Sequence, residues 1–462
     1  MGQTGAVNKD VSMADAIAHA VTAGQRFGLG LKPGMLEGLA RDPRRAVLDE
    51  IDQADLAGIA AGDLLSGQQA MQAHFEERHG PQVRMDAPAT ARRSAAILQD
   101  EAIARFAHGM RQSLGFVERL VLFWSNHFCV SVRKGPTVRV VAGAYEREAI
   151  RPHVLGDFAA MLTAVVRHPA MLVYLDNRGS IGPTSRAGLN RKRGLNENLA
   201  REILELHTLG VDGGYSQRDV GALARMLTGW TVAGPDGRAA PPGAFVFNPN
   251  AHEPGPQTLL GRAYAAGGAD QAEAALANLA LHPATARFIA RKFARHFVAD
   301  DPPPVLVARL EADFRRTGGN LGSLARVLVT SEEAWTVPAT KVRTPYEFLL
   351  AASRATGVAP ANPSQVLGPL NAMGQPLWAP AGPNGHPDTA GDIAAPEAMT
   401  ARLEAASVLA RRMRGAAADP RALQQALFGD LSSPDSRQAV IRAESAEQGL
   451  ALLFLSPEFL RR

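Results

Sequence analysis

Between Asn196 and Trp230 the chain reads NENLAREILELHTLGVDGGYSQRDVGALARMLTGW, and its apolar residues return at helical spacing. Leu195, Leu199, Leu206 and Leu209 fall on one side of a helix, with Glu202 among them. Asn196 is a good N-cap, because its side-chain oxygen accepts from a free backbone N–H. Gly210 accepts the left-handed conformation of a helix C-terminus. After the Gly213-Gly214 turn, Ser216-Gln217-Arg218-Asp219 opens a second helix as a capping box with Asp in the fourth place. Its buried face is Val220, Leu223, Ala224, Leu227 and Trp230. The reading is a mainly all-α chain, built around this pair of helices.

The polar residues inside these stripes are the candidate site. A carboxylate on an apolar stripe is costly to bury without a partner, so Glu202 needs an Arg, a His or a metal ion. Arg151, in YEREAIRPH, is a mate the sequence offers. His207 lies at the edge of the stripe, in a last turn where imidazole also suits the negative end of the helix dipole. Glu197, Arg201 and Glu205 make an ion-pair ladder at i, i+4 spacing. In Phe116–Phe128, Leu120, Phe123, Trp124 and His127 share one face. His127 is then a site residue or a core histidine donating to a backbone carbonyl.

The rest of the chain is read in the same way. Helices are expected at 12–22 (capped by Ser12), within 46–79 (interrupted by Gly58, Gly62 and Gly67), at 89–109, 145–153 and 158–166, and from Pro283 to Val298. Further helices follow near 305–317, 320–330, 344–356, 363–373, 396–414, 420–428 and 434–455. Residues 243–261 read as one small β-hairpin, with His252 and Glu253 in its loop. Two long loops stand out: a Gly-rich basic loop, 178–194, and a Pro/Gly loop, 374–395, carrying Trp378. Asp300–Pro304 (DDPPP) divides the chain into a main helical lobe, 1–300, carrying the candidate site, and a C-terminal helical lobe, 301–462.

Several function classes drop out. No P-loop, dinucleotide glycine fingerprint, HExxH or GxSxG occurs. The single cysteine, Cys129, excludes an internal disulfide and a cysteine-based zinc site. The net charge of +4 is mild, and few exposed aromatics interleave the Arg287, Arg291 and Arg295 ridge, so no nucleic-acid partner is expected. No membrane span and no signal peptide are read from the sequence, which points to the cytoplasm.

RFGLGLKPG, WSNHF, YEREAIRPH, RHPAMLVYLDN, NENLAREILELHTLGVDGGYSQRDV, LHPATARFIARKFARHFV, GQPLWAP and the final SPEF together resemble the bacterial family catalogued as domain of unknown function 1800. The matching stretches run from about residue 17 to the C-terminus, as one family-level domain. His252-Glu253, Gln257 and His386 depart from the family pattern of His-Asp, Lys and a nearby Trp. The resemblance implies no agreed catalytic residues. It does imply a neighbouring sulfatase-like exported protein as a possible partner, and with it a periplasmic setting.

Two functions are therefore expected. One is an enzyme, metal-dependent and of hydrolase type, with its site between the 116–128 and 196–210 helices. Glu202, His207 and Arg151 are its catalytic candidates. His127, Glu202, His207 and His252 are its candidate ligands for zinc, iron or manganese, with Asp176 in reserve. The other is a non-enzymatic helical partner or chaperone of the exported protein, in which these polar groups are buried ties.

Overall fold

The computed structural model describes residues 13–60, 62–79, 93–189, 194–413 and 419–462. The Ser12 cap, the 80–92 segment and residues 190–193 of the basic loop lie outside them. The chain is 63% helical, with two small antiparallel two-stranded sheets. One apolar cluster runs from Ala20 to Leu460 and takes in the large side chains Phe27, Trp124, Phe158, Trp230, Phe297 and Phe459.

The capping signals act as written. Ser216 and Asp219 close a full capping box on Gln217–Met226. Thr344 and Glu347 do the same on Pro345–Thr356. His168 and His282, each followed by proline, are N-caps whose Nδ1 accepts from the N–H of Ala170 (3.1 Å) and Ala284 (3.2 Å). Phe116–His127 is capped from outside itself. The buried Glu50 carboxylate, from another helix, accepts from the N–H groups of Leu114, Gly115 and Phe116, meeting the unpaired donors of that helix start.

The central helix departs from its expected register. It begins as α-helix at Asn198–Glu202 and widens into a π-helix at Ile203–Thr208. The N-cap is Glu197, whose side chain makes no capping bond, and Asn196, expected there, stands one residue earlier and accepts from the N–H of Asn198 at 2.9 Å. A π-turn holds more residues than an α-turn, so positions past Glu202 slip round the axis. Ile203, Leu204, His207 and Thr208 are buried, whereas Glu202 and Leu206 are only half-buried. The stripe drawn through Glu202 and Leu206 is thus corrected to one through His207. Two further π-turns, Ala23–Phe27 and Glu146–Ile150, end helices in the same way.

Two expectations about small elements also change. The 243–261 stretch is not one hairpin. β1 (Trp230–Val232) pairs with β2 (Phe245–Phe247), and β3 (Gln257–Leu259) pairs with β4 (Arg262–Tyr264). The second turn is Leu260-Gly261, both at positive φ (50° and 76°), which is the two-residue geometry that suits strand twist. The 434–455 helix is two, Pro434–Ile441 and Ala446–Leu455, the second capped by Ser445.

Ion pairs run between residues up to 300 and residues above 304. Arg119 pairs with Glu347, and Lys341 reaches Asp300 at 2.7 Å. Asp300 also accepts from the N–H of Ala390 at 2.7 Å, anchoring the end of the 374–395 loop.

Candidate functional site

The structure brings some of the sequence candidates together and separates others. His127 and His207 meet, with ring centroids 6.2 Å apart. His127 Nε2 donates to the His207 carbonyl at 3.1 Å, and its Nδ1 accepts from Lys292 Nζ at 3.0 Å. Burial holds the His127 imidazole well below its usual range, and Lys292 and His207 push it the same way. Burial, followed by Lys292, lowers His207 to about 3, and its Nδ1 has no hydrogen-bond partner. Both rings are therefore neutral at pH 7.

Glu202 stands apart. Among the described residues no hydrogen bond or ion pair holds its carboxylate, which is raised by partial burial and then by the neighbouring Glu205. Arg151 is not its mate. Its guanidinium donates to Glu118 at 2.7 and 2.8 Å and to Glu146 at 2.8 Å, all three side chains being buried. His252 is elsewhere, Nδ1 donating to the Thr228 carbonyl at 2.9 Å. Its neighbour Glu253 accepts from the Thr184 N–H and hydroxyl, both at 2.9 Å, and so pins the described part of the basic loop. Asp176 pairs with Lys134 at 2.6 Å. Among the described residues no three His, Cys, Asp or Glu side chains converge on a point that could hold a metal ion. His127, Glu202, His207 and His252 are therefore not one ligand set.

The other face of the Phe116–His127 helix opens onto a crevice of about 690 Å³, its mouth included. The 374–395 loop forms its outer wall. That loop is stitched to the helix end: Asn126 bonds the His386 backbone in both directions (2.8 and 3.0 Å), Ser131 donates to the Pro380 carbonyl (2.8 Å), and the Val132 N–H donates to the Trp378 carbonyl (2.8 Å). Trp378 holds φ at 49°, uncommon for a non-glycine residue.

Two buried charge networks flank the crevice. On one side Glu146 gathers Arg105 (2.9 Å), Arg151, the Ser125 hydroxyl (3.0 Å) and the Trp378 indole N–H (3.2 Å). Burial alone would raise Glu146, but Arg105 and Arg151 bring it down to about 2. The Arg105 guanidinium lies 4.5 Å from the Tyr346 ring centroid and 5.6 Å from that of Trp378. On the other side Glu347 meets Arg119 and Arg462, and Asp388 meets Arg462 (3.2 Å) and His296. His296 Nδ1 donates to Asp388 Oδ2 at 2.7 Å, and its Nε2 has only Arg119 at 3.5 Å. Burial lowers His296 to about 4 against the opposing pull of Asp388, so the ring is neutral with its proton on Nδ1. The Tyr346 hydroxyl is buried without a partner among the described residues, and burial raises it well above its usual range. Burial likewise pushes the Cys129 thiol to about 12, which leaves it a poor nucleophile at neutral pH.

The family model for protein of unknown function DUF1800 matches residues 22–461, nearly the whole chain. The protein belongs to the DUF1800 family. No curated protein and no solved structure matches it.

Reading the sequence of this DUF1800 protein missed most of the crevice. Glu118 and Arg119 in FVERLVLF were a usable signal, since two charges stand inside an otherwise greasy helix. His296 and Asp388 gave none. One sits on an Arg-rich ridge and the other in a Pro/Gly loop, 92 residues apart.

Proposed function

We propose that this DUF1800 protein is an enzyme of hydrolase type whose reaction takes place in the crevice beneath the 374–395 loop. The observation that carries this reading is the His296–Asp388 pair. A carboxylate on Nδ1 fixes the imidazole tautomer and orients it, leaving Nε2 as a proton acceptor whose one neighbour among the described residues is the Arg119 guanidinium at 3.5 Å. Tyr346, protonated and unpaired, supplies a donor for a carbonyl oxygen on which negative charge develops. Water activated at Nε2 is the nucleophile in this reading, because Cys129 stays a thiol and Ser125 is committed to Glu146. The Tyr346 and Trp378 rings favour a small substrate with an apolar or aromatic group and a carbonyl.

The test is turnover of short aryl esters and amides by wild type, His296→Gln and Asp388→Asn. Wild-type turnover falling by about 10²–10⁴-fold in both variants supports the reading. Variants that fold, bind and turn over like wild type would overturn it. So would a wild type that turns over none of the probes and co-purifies with a protein partner.

A further inference from the structure

The reading above leaves Lys292 unused. The chain has six lysines. Of the described ones, Lys134 and Lys341 are held by carboxylates, Asp176 (2.6 Å) and Asp300 (2.7 Å), and Lys32 donates to the Gln112 carbonyl (2.7 Å). Lys292 alone among them has its Nζ against a base, 3.0 Å from His127 Nδ1. No carboxylate of the described residues is within ion-pair distance of it. The Phe288 ring lies 5.6 Å away, and Phe123, Trp124 and Phe128 pack around His127.

The direction of the contact is fixed. The His207 carbonyl can only accept, so His127 Nε2 carries the ring proton. Nδ1 therefore presents a lone pair to the amine. An ammonium held by no anion within ion-pair distance in a mostly apolar setting is disfavoured against the free amine, and burial brings Lys292 to about 8 against the opposing pull of Cys129 and Asp388. Lys292 is half-buried rather than sealed in the core.

We propose that Lys292 is a carbonyl-reactive site, at which the ε-amine condenses with a small aldehyde or ketone and His127 relays the proton. The nitrogen lone pair forms the N–C bond while the carbonyl π pair moves to oxygen. His127 Nδ1 takes the proton lost by nitrogen and delivers it to that oxygen, giving a carbinolamine. Loss of that oxygen as water leaves the imine, so amine and carbonyl go to imine and water with no further reactant. The site is independent of the His296–Asp388 reaction and stands or falls separately from it.

The experiment treats the full chain with pyridoxal, reduces with borohydride and maps modified lysines by peptide mass spectrometry. At pH 7.5 the adduct is expected on Lys292 at least 10-fold above Lys134, and above Lys32, which burial also lowers to about 8 but which has a carbonyl and no base beside its Nζ. Its yield should rise to half near pH 8, where an ordinary lysine would do so near pH ~10. His127→Phe, shown folded by circular dichroism, should lose most of the label, and Lys292→Arg all of it at that position. No adduct on Lys292, an even spread over the lysines, or a wild-type midpoint near that of an ordinary lysine would each overturn the proposal. The wild-type pH profile decides the matter even if the His127 variant fails to fold.

Discussion

His127 donates through Nε2 to the backbone carbonyl of His207 at 3.1 Å, joining the Phe116–His127 helix to the end of the π-turn Ile203–Thr208. Both groups are buried, so the bond has no water to replace it. His127→Ala should cost about 2–4 kcal/mol, from an orphaned carbonyl and a cavity among four aromatic rings. Urea unfolding measures it. A loss below about 0.5 kcal/mol would mean that the contact is incidental.

Glu202→Gln should behave oppositely. Its carboxylate is half-buried, without a partner among the described residues, and repelled by Glu205. Removing the charge should leave stability within about 0.5 kcal/mol of wild type, or raise it slightly. A large loss would reveal a partner for the carboxylate.

Arg151 is the opposite case, buried between Glu118 and Glu146. Arg151→Met strands the buried Glu118 carboxylate, leaves Glu146 to Arg105 alone and should cost about 3–5 kcal/mol. The double variant Arg151→Met, Glu118→Gln should recover part of that loss, because Glu146 keeps Arg105 and no uncompensated charge remains. Calorimetric Tm values for the two variants check the order.

Stability should fall in two steps on acidification. His296 and His386 are lowered by burial to about 4, and His207 to about 3. An unfolded histidine titrates near ~6.5, so between about pH 6.5 and 4 the unfolded chain binds more protons. Their neutral forms thus contribute fully above about 6.5 and progressively less below it. Glu146 and Glu347, at about 2, add a second loss as pH drops from about 4 towards 2. Urea midpoints at half-unit pH steps would show both, and a flat profile from pH 7 to 4.5 would contradict the first.

Gly385→Ala tests the loop wall. Gly385 has φ at 85°, and a Cβ there would lie 2.6 Å from the Asn126 carbonyl oxygen. The strain should cost about 1–3 kcal/mol and loosen the loop from the helix end. Faster proteolysis within 374–395, with a changed Trp378 environment in fluorescence, is the expected result.

The sequence by itself determined the helices. Their apolar spacing and caps are local, and Ser216–Asp219, Gly210 and the His-Pro starts act within a turn of where they stand. It also paired His127 with the 196–210 segment, through the greasy faces that carry them. Tertiary structure decided which polar groups face one another. The π-turn at Ile203–Thr208 moved Leu206 off the buried side and His207 onto it, leaving Glu202 half-buried just before it, and no spacing rule for an α-helix registers such a slip. Arg151 chose Glu118 and Glu146 over Glu202, and His296 found Asp388 in a loop without periodicity. Such pairings depend on how distant helices dock. A buried charge takes whichever counter-charge packing brings to it, because in a low-dielectric interior an unpaired one is the costlier alternative.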